Sequence, residues 1–291
     1  DSYKKHVSTN KVYINPSLEW RPDAKTTVTL ELDYLNEDKT PDAGTVNLNG
    51  DSIEALYDIP HKKFLGFSSD NVNSKIMTYA ARITRQIADK VSVRAAYFNA
   101  SYDVDNTGAN INTRASSKPG EDNLRKRSLG RSIREDKNST FQLDLIGRDI
   151  YTGSIKHTFQ IGFDYKQTDL MTNSYGYYGL NSKTKKMEFI SGLPIDQIDV
   201  LGMPTSAQLG VSQDSIWVLG KAATSSASSY GIMAQEVMTI NEYVKAILGL
   251  RYSSQTSLSN TSTGSISEDA WNPMFGVMVT PYKDINLFGS Y

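Results

Sequence analysis

The chain has 291 residues, a formal net charge of −1, 38% hydrophobic residues and no cysteine. The missing cysteines exclude thiolate catalysis, cysteine-ligated metals and a disulfide framework. No apolar run approaches the roughly 20 residues that a spanning helix needs, and the first residues, DSYKKHVSTN, lack the charged start and apolar middle of a signal peptide. If the protein is exported, its leader is expected outside this sequence.

In chain order, period-two alternation defines the elements. Val12, Ile14, Leu18 and Trp20 share one side of the first, and after Arg21-Pro22-Asp23 the second runs from Val28 to Tyr34. Met77, Tyr79, Ala81 and Ile83 are answered across QIADKVS by Val91, Val93, Ala95 and Tyr97. Phe141, Leu143 and Leu145 lead through GRDIYTGS to His157, Phe159, Ile161, Phe163 and Tyr165. YGIMAQEVMTI, whose facing the pattern leaves open, pairs with VKAILGLRY, and WNPMFGVMVTP pairs with INLFGSY. About ten strands are expected.

Short turns fall at 21–25, 87–90, 149–154, 240–243 and 281–285, with long segments between them at about 38–74, 104–137, 170–228 and 256–269. Such lengths are foreign to a compact soluble domain and suit an outer-membrane barrel, with tight turns at one end and long loops at the other. The polar faces carry Glu31, Asp33, Arg82, Arg94, Asp144, Lys156, Asp164 and Arg251, which a packed core would exclude and a wet or plugged lumen accepts. Trp20, Tyr34, Tyr97, Tyr165, Tyr252 and Trp271 stand at strand ends, as interfacial girdles require. The expected fold class is all-β, an antiparallel transmembrane β-barrel segment with short periplasmic turns and long extracellular loops. A large soluble antiparallel sheet is the alternative.

The segments INPSLEWRPDAKTTVTLELDYLNED, IPHKKFLGFSSDN, KHTFQIGFDY, YGIMAQEVMTINEYVKAILGLRY and WNPMFGVMVTPYKDINLFGSY together resemble the TonB-dependent ferric-siderophore receptors, most closely the ferrichrome-receptor branch. The resemblance implies a barrel of about 22 strands filled by an N-terminal plug. It also implies a TonB box that meets the TonB energy-coupling protein, and a cell outer membrane location in a Gram-negative bacterium. Residues 1–291 then supply roughly the fourth to the thirteenth of those strands, and the plug, the TonB box and the C-terminal strands lie outside the sequence. A segment of this kind is expected to fold beside its missing strands, since open edges invite aggregation.

The implied cargo is ferric iron carried as a siderophore complex, so no protein-bound cofactor, metal site or catalytic residue is expected. Recognition of an organic chelate calls for aromatic walls and a few polar groups. In the long segments Tyr57, Phe64, Tyr102, Tyr175, Tyr177 and Tyr178 are the candidate ligand contacts, with loop packing as the alternative use. Tyr102 lies near the position where the ferrichrome receptor places ligand-facing tyrosines. PDAGTVNLNG stands where that receptor has an aromatic cluster, and its loop cysteine pair is missing; both departures weigh against ferrichrome itself as the cargo and leave the broader siderophore class intact. KPGEDNLRKRSLGRSIREDK carries Arg125, Lys126, Arg127, Arg131 and Arg134 on an expected outer loop. Those cations suit steering of anionic chelates or pairing with lipopolysaccharide phosphates. Nucleic acid is not expected, because aromatics are not interleaved. The rival functions are a receptor for a vitamin or oligosaccharide, a smaller closed-barrel hydrolase, and a soluble binding sheet.

Overall fold

The computed structural model describes residues 2–42, 53–54, 58–112, 120–181, 183–202, 209–210, 218–262 and 264–291. Fourteen strands form one antiparallel sheet: β1 (Thr9–Ile14), β2 (Ser17–Asp23), β3 (Thr26–Lys39), β4 (Asn71–Ala88), β5 (Val91–Ile111), β6 (Leu124–Thr152), β7 (Ile155–Leu180), β8 (Met187–Ser191), β9 (Leu193–Asp199), β10 (Val218–Leu219), β11 (Ala223–Thr239), β12 (Val244–Ser259), β13 (Ser265–Tyr282) and β14 (Ile285–Ser290). The wall follows the order β1-β3-β4-β5-β6-β7-β11-β12-β13-β14, with its first and last strands at open edges among the described residues.

Proline 16 explains why β1 and β2 are separate elements on one edge. Ile14 pairs with Tyr34 and Ser17 with Glu31 in unbroken register. Pro16 has no N–H to donate, but its carbonyl still accepts from Leu32 N at 3.0 Å. The ten expected strands are therefore the ten wall positions, β1 and β2 counting as one, and β8, β9 and β10 lie off that path.

Directly opposed residues in an antiparallel ladder share a face, so register assigns both surfaces. One row reads Trp20, Val28, Ile83, Ala95, Leu143, Phe163, Ile232, Tyr252 and Trp271. Most of its large side chains are exposed, as a lipid-facing belt demands. The adjoining row runs Thr27, Thr84, Arg94, Asp144, Gly162, Met233, Arg251 and Asn272 on the other side. For β11 the outward set is Tyr230, Ile232, Ala234, Glu236 and Met238, which settles the facing that the sequence left open.

The belt crosses the hydrogen-bond rows at a slant. Tyr34 and Trp271 are the last outward aromatics before polar residues, yet the row of Tyr34 reaches β13 at Ser265. Six residues of offset over seven strand spacings is about 20 Å over about 34 Å, a tilt of about 30°, near that of closed barrels. Trp20 and Trp271 thus share a row while marking opposite girdles.

Two charged lumen-side pairs brace strands of the wall. Asp144, 1% exposed, accepts from Arg94 Nε at 2.9 Å and Nη2 at 2.7 Å, and from Gln160 Nε2 at 2.8 Å. Arg251 reaches past β11 to Asp164 on β7, at 2.7 and 2.9 Å. Gly231 makes this reach possible, because a Cβ there would overlap the Arg251 guanidinium.

The strands exceed their sequence-based bounds. β5, β6, β7, β12 and β13 run into the segments expected as long loops, and the β6–β7 turn is Gly153-Ser154, with Gly153 at φ 64°, rather than the whole of 149–154. Beyond the bilayer both faces of a strand meet water or loop, so the ladder continues without apolar alternation.

Candidate functional site

The long-loop end holds the folded loop core. β6 and β7 pair as far as Arg131 and Tyr175, then separate. β8 follows the tip of β7, β9 follows the tip of β6, and Gly192 at φ 74° makes the bend between them. Glycine takes such a left-handed backbone without the steric cost of a Cβ. The excursion carries Ile198 and Val200, which pack with Ile59, Leu65 and Ile111 into a buried apolar cluster.

Arg127 joins the pieces. Its guanidinium lies 4.2 Å from the Phe67 ring centre, donates to the Leu65 and Gly66 carbonyls at 2.9 and 3.0 Å, and grips Asp196 of β9 at 2.7 and 2.9 Å. Lys63 donates to the carbonyls of Asp199 and Gly202. Burial pulls the Lys63 ammonium below its ordinary range, partly offset by the Asp199 charge. Backbone N–H groups of Gly202 and Leu201 hold Asp199 low. Asp70 accepts from Phe67 N and Ala109 N at 3.0 and 3.1 Å, while burial raises its carboxyl.

The predicted basic loop is thus strand β6 from Leu124 onward, a correction with a physical cause. Alternate residues of its tip are covered, so Arg125 and Arg127, each 2% exposed, belong to the interior. Arg131 is clamped by Asp105 at 2.8 and 3.2 Å and lies 4.5 Å from the Tyr175 ring centre. Arg134 is exposed beside Asp136, at 3.0 Å, and Lys126 is exposed.

The aromatic candidates divide. Phe64, 3% exposed, is packed within the loop core, a correction to its reading as an open ligand wall. Tyr57 lies outside the described residues. The β6–β7 ladder has no shift between Phe159 and Tyr175, and the ladder with β8 continues it, so Tyr175 and Tyr177 keep the outward side of β7. Tyr178 falls on the other side, 61% exposed and edge-on to Phe189, so the three tyrosines form no common wall. Tyr102 stands on the lumen side of β5 with Phe98.

Above Tyr102 on that side is a concavity of about 290 Å³ that sequence reasoning missed. Asn106, Asn110, Ser128, Ser132, Ser174 and Ser191 line it, and among the described residues none has a side-chain hydrogen bond. The signal was present as two matched alternations, Asn106-x-Gly108-x-Asn110 and Ser128-x-Gly130-x-Ser132. Register places Asn110 against Ser128, Gly108 against Gly130 and Asn106 against Ser132. With Arg131 and Tyr175 also in its lining, the arrangement offers mostly neutral donors and acceptors to an oxygen-rich ligand. Among the described residues no three His, Cys, Asp or Glu side chains gather as a metal site.

The family "TonB dependent receptor-like, beta-barrel" matches residues 16–291. BauA, the ferric preacinetobactin receptor of Acinetobacter baumannii, is 16% identical, with TM-score 0.70 over 100% of this chain and 40% of its own. The ferric-catecholate import receptor Fiu of E. coli K12, in its closed form, is 16% identical, with TM-score 0.73 over 100% and 44%. The ferripyoverdine receptor of the outer membrane of Pseudomonas aeruginosa is 13% identical, with TM-score 0.75 over 99% and 36%. The chain spans less than half the length of these structures, and at such identities the likeness is one of fold. No curated protein matches in sequence. Register, girdles and family match agree: the chain belongs to the TonB-dependent receptor family, as part of its β-barrel.

Proposed function

We propose that this chain is the barrel wall and capture surface of an outer-membrane receptor that imports a ferric siderophore in a Gram-negative bacterium. The observation that carries this reading is the lumen-side mouth at the long-loop end, where Tyr102 lies below a polar concavity. The solved receptors of similar fold named above take ferric chelates, which supports the same cargo class. Within it the sequence resemblance points to the ferrichrome-like branch. The plug, the TonB box and the remaining strands are assigned to the rest of the parent protein, and coupling to TonB runs through that plug. Lys126 and Arg134 are the cations left exposed for steering an anionic chelate or meeting lipopolysaccharide phosphates. Iron belongs to the cargo, and no proton-transfer step is required.

The test is growth under iron limitation on a panel of hydroxamate, catecholate and mixed ferric chelates, comparing cells with and without the full-length parent gene. Loss of use of one chelate is the expected result. Unchanged growth on all of them overturns the siderophore reading and moves the cargo to a vitamin or an oligosaccharide.

A further inference from the structure

Among the described residues, the outward belt below the upper girdle is interrupted by ionisable side chains at two places. Arg85 reaches the β2–β3 turn, donating to Thr26 Oγ1 at 3.0 Å and Asp23 Oδ2 at 3.5 Å. The other is His157 on β7 and Glu236 on β11, with Nδ1 and Oε1 2.6 Å apart. Register fixes their side: Phe159 opposes Glu236 and His157 opposes Met238, on the outward face with Phe163 and Ile232. Glu236 lies six residues from Tyr230, about 20 Å along the slanted strand and so about 17 Å below the upper girdle, within an apolar band about 25 Å tall.

A carboxyl group in such a band is costly unless it is paired, and its partner is a functional question. His157 satisfies one oxygen only. Its Nε2 is enclosed without a partner, so the tautomer that donates Nδ1–H to Glu236 avoids a buried N–H with no acceptor. Glu236 Oε2 meets no donor among the described residues, and the side chain is 37% exposed on the lipid side. Unlike Arg85, this group has no opposite charge at the rim.

Beside it a groove of about 580 Å³ opens on the same face. Small Ala234 and Pro273 form its floor, and Phe159, Leu248, Leu250 and Phe275 form its sides. Glu236 is part of the lining. A carboxylate oxygen that lacks a donor, next to an apolar trough in the short-turn half of the band, matches a molecule that is cationic at one end and hydrocarbon at the other.

We propose that Glu236, His157 and this groove bind an aminophospholipid of the leaflet on the short-turn side. The acyl chain lies along Ala234 and Pro273, and the ammonium donates to Glu236 Oε2. The head group is drawn slightly inward, with local thinning of the bilayer. The inference rests on the membrane-spanning reading and is independent of the cargo.

The test uses the full-length parent receptor in nanodiscs containing equal phosphatidylethanolamine and phosphatidylglycerol, followed by native mass spectrometry of the retained lipid. Heat-modifiable gel mobility confirms separately that the barrel has inserted, so failure of the membrane reading is seen as such. Wild-type receptor is expected to retain phosphatidylethanolamine about tenfold over phosphatidylglycerol, the size of one charge-assisted hydrogen bond. Glu236→Gln brings the two lipids to parity, and Ala234→Trp, which fills the floor, releases both. Equal retention by wild type, which needs no variant, overturns the proposal, as does an unchanged preference in Glu236→Gln. Disulfide-linked dimers through Leu250→Cys also overturn it, since a second copy would then occupy the face.

Discussion

The belt around Leu143 and the loop core around Arg127 lie on the same strand and use the same ladder, yet they are stabilised in opposite ways. In the belt most apolar side chains face outward, and Asp144 on the other side is enclosed and paired with Arg94. At the tip of β6, Leu129 is fully buried and the cations Arg125 and Arg127 lie in the interior with it. Solvent accounts for the difference. Lipid stabilises an exposed leucine, whereas in water a long connection holds its shape only by folding over itself.

The two modes of stabilisation separate most sharply at Arg127. Arg127→Ala in the parent receptor leaves Asp196 unpaired and removes the tie to Leu65 and Gly66, at a cost of about 3–5 kcal/mol. Proteolysis and hydrogen exchange should show residues 58–70 and 193–199 opening together while the wall stays protected. A global loss of the barrel would show that the loop core and the belt are not separable. Next, Leu143→Arg places a charge in the belt at about 2–4 kcal/mol, and bilayer assembly yield should fall. Gln142→Arg, one residue along on the lumen side, should leave the yield nearly intact, and equal losses would contradict the assigned faces. Gly231→Val pushes Arg251 from Asp164 and should destabilise the wall by about 1–3 kcal/mol through overpacking, read as a lower melting point, without loosening the loop core.

The smallest effect is pH-dependent and confined to the loop core. Burial raises the Asp70 carboxyl above its ordinary value of 3.8, so the folded loop binds more protons than the open loop between those two values. Its stability is therefore fully present below the ordinary value and falls as pH rises towards the raised one. Hydrogen exchange of residues 58–70 across the acidic range should follow that slope. Asp70→Asn keeps an acceptor for Phe67 N and Ala109 N and should flatten it, and a slope that persists in the variant would assign it to another group.

What the sequence revealed follows the same division. The wall strands and their facings were legible because lipid and lumen impose different chemistry on alternate residues, as at Phe159, Ile161 and Phe163. Above the girdle that contrast ends, so the continuation of β5 and β6 read as loop. β8 and β9, packed in the fork, likewise left no periodic trace. Arg125 and Arg127 read as solvated because a run of cations carries no sign of the strand that covers alternate members. The paired Asn-x-Gly-x-Asn and Ser-x-Gly-x-Ser alternations were visible but had meaning only once register placed them side by side.

The slant of the wall gives the Arg251–Asp164 pair a mechanical role. The two residues are two strands apart and offset by one ladder step on the lumen side, which is nearly the rise of the girdle over that distance. The pair therefore lies along a circle of latitude, like a short segment of hoop, while the hydrogen-bond rows climb across it as a helix. Backbone ladder bonds re-form after a strand slips lengthwise, so they do not by themselves fix the register. A brace set at an angle to the rungs opposes that sliding, and so guards the register on which every facing in the wall depends.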